Sequence, residues 1–477
     1  MEYETVIGLE VHLQLRTRTK AFCGCSTEFG SQPNTQVCPV CLGFPGTLPV
    51  LNKNFLAYGI KTALALNCTV QEYTKFDRKN YFYPDLPKDY QISQYDLPLS
   101  KNGFINIMVD TEVKRIGITR VHMEEDAGKL IHREEYSCVD FNRTGMPLLE
   151  IVSEPDMNSP QEAYDYLTNL KSMLEYLDVS DCDMEKGSLR CDANVSVRPR
   201  GEKTLGTKTE LKNMNSFKAV RDALTYEIAR QISLVESGEK VVQQTLLWNE
   251  KEEKTFAMRT KEGSQDYRYF PEPDLPPFII SLSQIEETRR QIPELPKDKI
   301  IRFMKDYGLS EYDACILCSS KKDSLFAESC LKAYPGKDKK TVANWLIGPL
   351  LSEANLRNST ISGLDILIPS LLELIDFVES QQISSLSGKA VLTEMLNTGK
   401  SAAIVVKEKD LIQVSDTSVL DKVLDEVIKD NPKSVEDYKS GKANAVMFLV
   451  GQAMKKSLGK ANPKVVQDML KRRLDNA

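Results

Sequence analysis

Apolar and polar residues alternate almost from the first position. Ile7, Leu9, Val11, Leu13 and Leu15 are interleaved with Gly8, Glu10, His12 and Gln14. A period of two is that of a strand with one buried face. The same design returns over Leu189–Arg198. There Leu189, Cys191, Ala193, Val195 and Val197 face one way and Arg190, Asp192, Asn194, Ser196 and Arg198 the other. Residues 1–293 read as strand-rich, with two embedded helices. Ser159-Pro160 opens one over Gln161–Leu177, and the other runs over Ser216–Glu236. The run Phe270-Pro-Glu-Pro-Asp-Leu-Pro-Pro277 cannot be a helix interior, because proline lacks the amide donor, and it closes this part of the chain.

Beyond Pro293 and Pro296 the period changes to three and four, which predicts helices. Val446, Leu449, Val450, Ala453 and Met454 form one helical face, with Gly459 as the stop. Asn462 caps a further helix, Pro463 takes its first position, and Val466, Met469 and Leu470 continue the apolar stripe. The class expected is α+β: a β-rich mixed-sheet domain over 1–293, a helical domain over 294–405 and a small helical tail over 406–477.

Composition narrows the function. Apolar residues make up 41% and charged residues 27% of 477 positions, the make-up of an ordinary globular chain of several domains. No apolar run approaches the roughly 18 residues of a membrane span, and Met1-Glu-Tyr-Glu4 lacks the layout of a signal peptide. With eleven cysteines and no export signal, the expectation is a reducing, cytoplasmic setting. A net charge of −6 excludes a uniformly basic nucleic-acid coat. From Lys439 onward, however, nine Lys or Arg stand against only Asp468 and Asp475, a local footprint suited to nucleic acid.

Cys23-Gly-Cys25 and Cys38-Pro-Val-Cys41 form two knuckles twelve residues apart. Four thiolates so spaced suit a tetrahedral zinc ion and leave no open position, so the site would be structural. Glu10 and His12 point the same way on their strand, as half of a hard-cation site or as a plain polar face. Arg190, Asp192 and Asn194 suit phosphate plus a metal ion, or solvent. Further acids stand at Glu124-Glu125-Asp126 and at Glu150, Glu154 and Asp156. Adjacent acids on a strand point to opposite faces, so at most two of the first three share a site unless the chain bends.

Gly201–Lys208 misses the phosphate-loop order because Thr207 precedes Lys208, which leaves Lys208 a candidate phosphate contact without a loop motif. No dinucleotide fingerprint, zinc-protease helix, nucleophile elbow or Ser-Ser-Lys amidase constellation is present. Asp77-Arg-Lys-Asn-Tyr-Phe-Tyr-Pro-Asp-Leu-Pro-Lys88 interleaves cations with aromatics, which suits a single-stranded RNA end or an aromatic loop with cations at its rim.

Together these runs resemble one family. Val6–His12, Asp77–Pro87, His122-Met-Glu-Glu-Asp-Ala-Gly-Lys129, Leu148–Asp156, Gly187–Val197, Glu210–Lys218, Asp266–Pro276 and Gly451–Pro463 are similar to motifs of the B subunits of tRNA-dependent Asp/Glu amidotransferases, over essentially the whole length. The resemblance implies a kinase half of a three-subunit ligase. Such a subunit uses ATP to phosphorylate the side chain of Glu-tRNA(Gln) or Asp-tRNA(Asn). Ammonia from a glutaminase A subunit then forms the amide, and a C subunit clamps the other two together. It also implies a β-rich cradle carrying the site, with a helical domain and tail that contact tRNA.

By resemblance, Glu10, His12 and Glu125, with Glu124 or Glu150, would hold Mg2+, and Arg190, Asp192 and Asn194 would line the same cavity. Lys79 and Arg78 become candidates for phosphate or tRNA-end contacts, and Cys23, Cys25, Cys38 and Cys41 match the zinc-binding members of a family in which others lack them. Two departures stand out: Asp89 where a small residue such as Gly is usual, and Gln265 where His is common. Two other readings stay open: a non-catalytic, zinc-stabilised tRNA-binding scaffold, and a free-standing metal hydrolase.

Overall fold

The computed structural model describes residues 2–258, 266–412, 417–440, 442, 444–457 and 463–475. The chain divides into two compact units, Met1–Pro296 and Lys297–Ala477. The architecture is α+β, with the sheets in the first unit and helices in the second.

A nine-stranded sheet organises the first unit. From one edge its order is Lys254–Ala257, Thr245–Asn249, Thr209–Lys212, Leu189–Pro199, Tyr3–Gln14, Pro147–Ser153, Glu112–Glu125, Ser100–Val109 and Thr69–Val70. Every pairing is antiparallel except Thr209–Lys212 against Thr245–Asn249. The two alternating runs read from the sequence are the two central neighbours, Leu13 opposite Leu189 through Tyr3 opposite Pro199. Their apolar sides lie on one face: Ile7, Leu9, Val11 and Leu13 with Ala193, Val195, Leu149 and Ile151, none more than 1% exposed. Each Leu, Ile or Val among them contributes about 1.5–3 kcal/mol of burial, so the sheet is held by this face and the opposite one is free to be polar.

The helices Lys53–Ala65, Pro160–Tyr176 and Phe217–Glu236 pack on the sheet. Each begins where a side chain takes up a free amide. Asn52 accepts from Asn54 and Phe55, Ser159 from Glu162 with Pro160 following, and Ser216 from Ala219. The latter two helices match the sequence reading within a residue at each end. Lys53–Ala65 was not singled out there, because its apolar positions run nearly continuously on the buried side: Ile60 and Ala63–Leu66 are all buried. A small three-stranded sheet pairs Asp77–Asn80 with Tyr90–Ser93 and with Phe270–Pro271 of the proline-rich run. A short helix, Leu282–Arg290, follows that run.

All described regular structure in the second unit is helical. It has two apolar clusters, one drawn from Phe303 to Val406 and one from Leu420 to Leu474. In the latter, Val446, Leu449, Val450 and Ala453 are buried as the pattern predicted, joined by Val466 and Leu470. Gly459, Asn462 and Gln265 lie outside the described residues. The cationic character of the tail is partly met from within. Arg473 pairs with Asp421 and Asp425, and Lys456 with Glu426 and Asp430, all four acids on the helix Thr417–Asp430. No described helix is long and apolar enough to cross a membrane.

Candidate active site

The polar face of the sheet assembles a site from residues far apart in sequence. His12 stands directly opposite Arg190 on one neighbouring strand and Glu150 on the other, and Glu150 stands opposite His122 on the next. Side chains opposite one another share a face, so a cation, an imidazole, a carboxylate and a second imidazole form a row across four strands. Glu124, two residues beyond His122, joins from the same face. His12 Nε2 lies 3.6 Å from Glu124 Oε1 and 3.5 Å from Glu150 Oε2. His122 Nε2 lies 3.2 Å from Glu150 Oε2 and 3.6 Å from Glu124 Oε2. Glu124 also accepts the Ser93 hydroxyl.

Both acids are nearly inaccessible, at 3% for Glu124 and 8% for Glu150. Burial pushes their carboxyls up, but the two imidazoles outweigh it and hold both below the usual carboxylate range. Reciprocally, burial lowers the imidazoles while Glu150 and Glu124 raise them, His122 to about 9. One ligand atom each from His12, Glu124 and Glu150 falls within 4.8 Å of the others. Two ionised, converging carboxylates with one imidazole fit a divalent cation. The nearest Arg or Lys of the ion pairs they make, Arg120, stays 3.9 Å from Glu150.

Around this centre the remaining predicted residues take distinct places. Glu10, two residues before His12, accepts the Asn194 amide at 2.9 Å. Arg190 donates to Asp126 at 3.0 Å, and Asp192 pairs with Lys212. A cleft of about 570 Å³ opens beside them, lined by Arg190, Asp192, Lys129, Arg143 and Lys186 among others. Lys208 is exposed, and its charge helps lower the Glu210 carboxyl.

Glu125 does not join the cluster. It points to the other side of its strand, where Oε1 receives the Lys88 ammonium and the Ile92 amide, the latter at 2.9 Å. Gly43, at φ +71°, passes so close that a Cβ there would meet Lys88 Cγ at 2.5 Å. Of the two cations in the aromatic segment, Arg78 is engaged by Glu272 through two 2.8 Å bonds and by Asp274. Lys79 has no ion pair among the described residues and sits 4.7 Å from the Tyr267 ring. Tyr269 stacks on Tyr95 at 4.2 Å, and its hydroxyl is raised by burial and by the Glu124 and Glu150 charges, which places it near the acids. Asp89 adopts φ +61°, the left-handed region that favours glycine and that Asp tolerates better than most side chains.

The four sulfurs of Cys23, Cys25, Cys38 and Cys41 also converge within 4.8 Å. The Cys38 amide donates to Cys41 Sγ at 3.2 Å, and the wholly buried Lys20 places Nζ 3.7 Å from the same sulfur. This is a possible four-cysteine metal site with its own counter-charge. No other cysteine joins a metal-binding group among the described residues; Cys68, Cys182, Cys191, Cys318 and Cys330 are buried, while Cys138 and Cys315 are exposed.

The model of the GatB/GatE catalytic domain matches residues 5–286, more than half of the chain, and a GatB domain matches residues 325–474. The chain belongs to the GatB/GatE family. It is 55% identical over 478 residues to the B subunit of the aspartyl/glutamyl-tRNA(Asn/Gln) amidotransferase of Carboxydothermus hydrogenoformans, covering 99% of each chain. The protein of that name from Moorella thermoacetica is likewise 55% identical, over 99% of this chain and all of its own. Its counterpart from Persephonella marina is 53% identical over 98% of this chain and 99% of its own. Within this GatB/GatE domain, sequence reasoning passed over the roles of His122, Lys88, Lys20 and Asp126. His122 alone had a legible signal, since it shares strand parity with Glu124.

Proposed function

We propose that this chain is the activating subunit of a tRNA-dependent amidotransferase. It uses ATP to phosphorylate the side-chain carboxylate of Glu-tRNA(Gln) or Asp-tRNA(Asn), and ammonia then displaces phosphate to leave the amide. The observation that carries this reading is the His12–Glu124–Glu150 cluster, with Arg190, directly opposite His12, lining the adjoining cleft together with Arg143 and Lys129.

A carboxylate attacking a γ-phosphorus needs in-line placement and neutralised charge more than a protein nucleophile. His12, Glu124 and Glu150 would hold Mg2+, with Glu10 and its Asn194 partner beside them. When bound, such an ion screens phosphate charge. Arg190, fixed by Asp126, and Lys129 and Arg143 on the cleft wall suit the phosphates, with Asp192 on the same wall, while Asn194 and the exposed Lys208 are further candidates outside that lining. Lys79 on its tyrosine shelf suits the acceptor end. Cys23, Cys25, Cys38 and Cys41 would hold one structural zinc.

The chemistry requires partners. No glutaminase constellation is legible in the chain, and an acyl phosphate hydrolyses readily, so a partner supplies the ammonia; the family resemblance makes that partner an A subunit, held by a C subunit. Residues 1–293 form the catalytic cradle, while the helical segments 294–405 and 406–477 contact tRNA in the cytoplasm.

The test is phosphate transfer from γ-labelled ATP, using the chain copurified with its A and C partners, Glu-charged tRNA(Gln) and Mg2+, without glutamine. ADP release that depends on the charged tRNA and disappears in Glu150→Gln is expected. ATP left untouched by a complex that still binds the tRNA would overturn the kinase reading in favour of a scaffold.

A further inference from the structure

We propose that His122 is the positioning residue of the cation site, gripping Glu150 and Glu124 from behind so that His12 alone supplies nitrogen to the ion. This deepens the metal reading above and rests on it. The two imidazoles are not equivalent. The His12 side chain is 21% exposed and that of His122 only 6%. They meet Glu124 through different oxygens, His12 through Oε1 and His122 through Oε2, and approach the same oxygen of Glu150. His12 belongs with both acids to the set of ligand atoms within 4.8 Å of one another, and His122 does not.

The other ring nitrogen of His122 is already engaged. Arg120 Nε lies 3.4 Å from its Nδ1, the nitrogen away from the acids. With Nδ1 accepting from Arg120, Nε2 is the nitrogen that carries the ring proton and faces the acids, 3.2 Å from Glu150 Oε2. A nitrogen that donates a proton has no lone pair for a metal. Carboxylate ligands aimed in this way hold an ion more tightly than free ones, because their rotamers are set before binding. Strand geometry makes the arrangement possible, since His122 faces Glu150 directly across one pairing and precedes Glu124 by two residues on the same face.

The probe is Mn2+ bound to the full-length chain, followed by electron spin resonance of the free ion and by the nitrogen couplings of the bound one. Wild type is expected to show a single coupled imidazole, lost in His12→Ala. His122→Leu should bind Mn2+ about 10–100-fold more weakly, whereas His122→Gln, which restores an N–H at the same reach, should stay within about threefold. Circular dichroism checks that each variant is folded, and the wild-type nitrogen count and the Gln variant decide the matter if the Leu variant is not. Two coupled imidazoles in wild type, unweakened binding in His122→Leu, or equal losses in Leu and Gln would each overturn the positioning role. Absence of any Mn2+ binding by wild type would instead bring down the metal reading, and this inference with it.

Discussion

Glu125 and Lys88 invite a quantitative test, because they form a buried pair on the side of the strand away from the carboxylate cluster. Their side chains are 2% and 7% exposed. The substitution Glu125→Gln leaves an ammonium in that setting with no other carboxylate in ion-pair reach among the described residues, and breaking a buried pair from one side costs about 3–5 kcal/mol. A domain is stable by only about 5–15 kcal/mol, so the variant should unfold at clearly lower denaturant. Lys88→Met should cost less, because the Ile92 amide continues to serve the carboxylate. The double variant Lys88→Met/Glu125→Met removes both charges and should recover much of that loss, falling short of wild type by about 1–3 kcal/mol, the cost of an Ile92 amide that has lost its side-chain acceptor. The chain has two tryptophans, Trp248 in the first unit and Trp345 in the second. In a Trp345→Phe background, guanidinium unfolding followed by Trp248 fluorescence therefore reports the relevant unit alone. Losses below about 1 kcal/mol in Glu125→Gln, or no recovery in the double variant, would refute the pairing argument. Mn2+ binding separates the two neighbouring acids: Glu125→Gln should retain it and Glu124→Gln should lose it, and the reverse would put Glu125 rather than Glu124 on the cation face of the strand.

Three further outcomes are expected. Cys41→Ser should abolish the zinc content of the purified chain and lower the thermal midpoint of the first unit, measured by metal analysis and calorimetry; full zinc occupancy in the variant would contradict a closed four-cysteine site. At Glu328, burial raises the carboxyl, but Arg302, Lys332 and Lys299 outweigh it and hold it at about 2. Because the folded value lies below the unfolded one, the stability this group contributes is present above about pH 4.3 and is lost as pH falls toward 2. Glu328→Gln should flatten that limb of an acid titration, and an unchanged limb would dismiss the ion-pair hub. Arg473→Ala leaves Asp421 and Asp425 uncompensated near each other, so the tail's thermal transition should fall by a few degrees and partly recover in high salt; insensitivity to salt would mean these pairs contribute nothing.

The α+β class, the helices opened by Ser159 and Ser216, and the two alternating central strands were legible because each is a local pattern. So were the cysteine knuckles, whose chemistry is carried by spacing. The choice between Glu124 and Glu125 was not. Alternation says that they part company, but only the pairing of Pro147 with Glu125 and of Leu148 with Glu124 shows which one meets His12. Arg78 read as a free phosphate contact because its partner, Glu272, lies 194 residues away in sequence. The tail's positive excess was likewise a property of composition, and its neutralisation depends on how the Thr417–Asp430 helix packs against the last two.

One acid on each side of a single strand also sets limits on how this gene can drift. An extra residue at the Asp110–Thr111 turn, between Ser100–Val109 and Glu112–Glu125, lengthens a solvent-facing hairpin tip and leaves both acids where they are. Loss of one residue between Val121 and Glu124 exchanges their sides, unless the irregularity at Val152/Ser153 in the neighbouring strand absorbs it. The cation site would then receive the carboxylate meant for Lys88, and the shorter Asp126 would take the position facing Lys88. A frame-preserving deletion of three nucleotides there should behave as a null allele, while a similar insertion at the tip passes unnoticed.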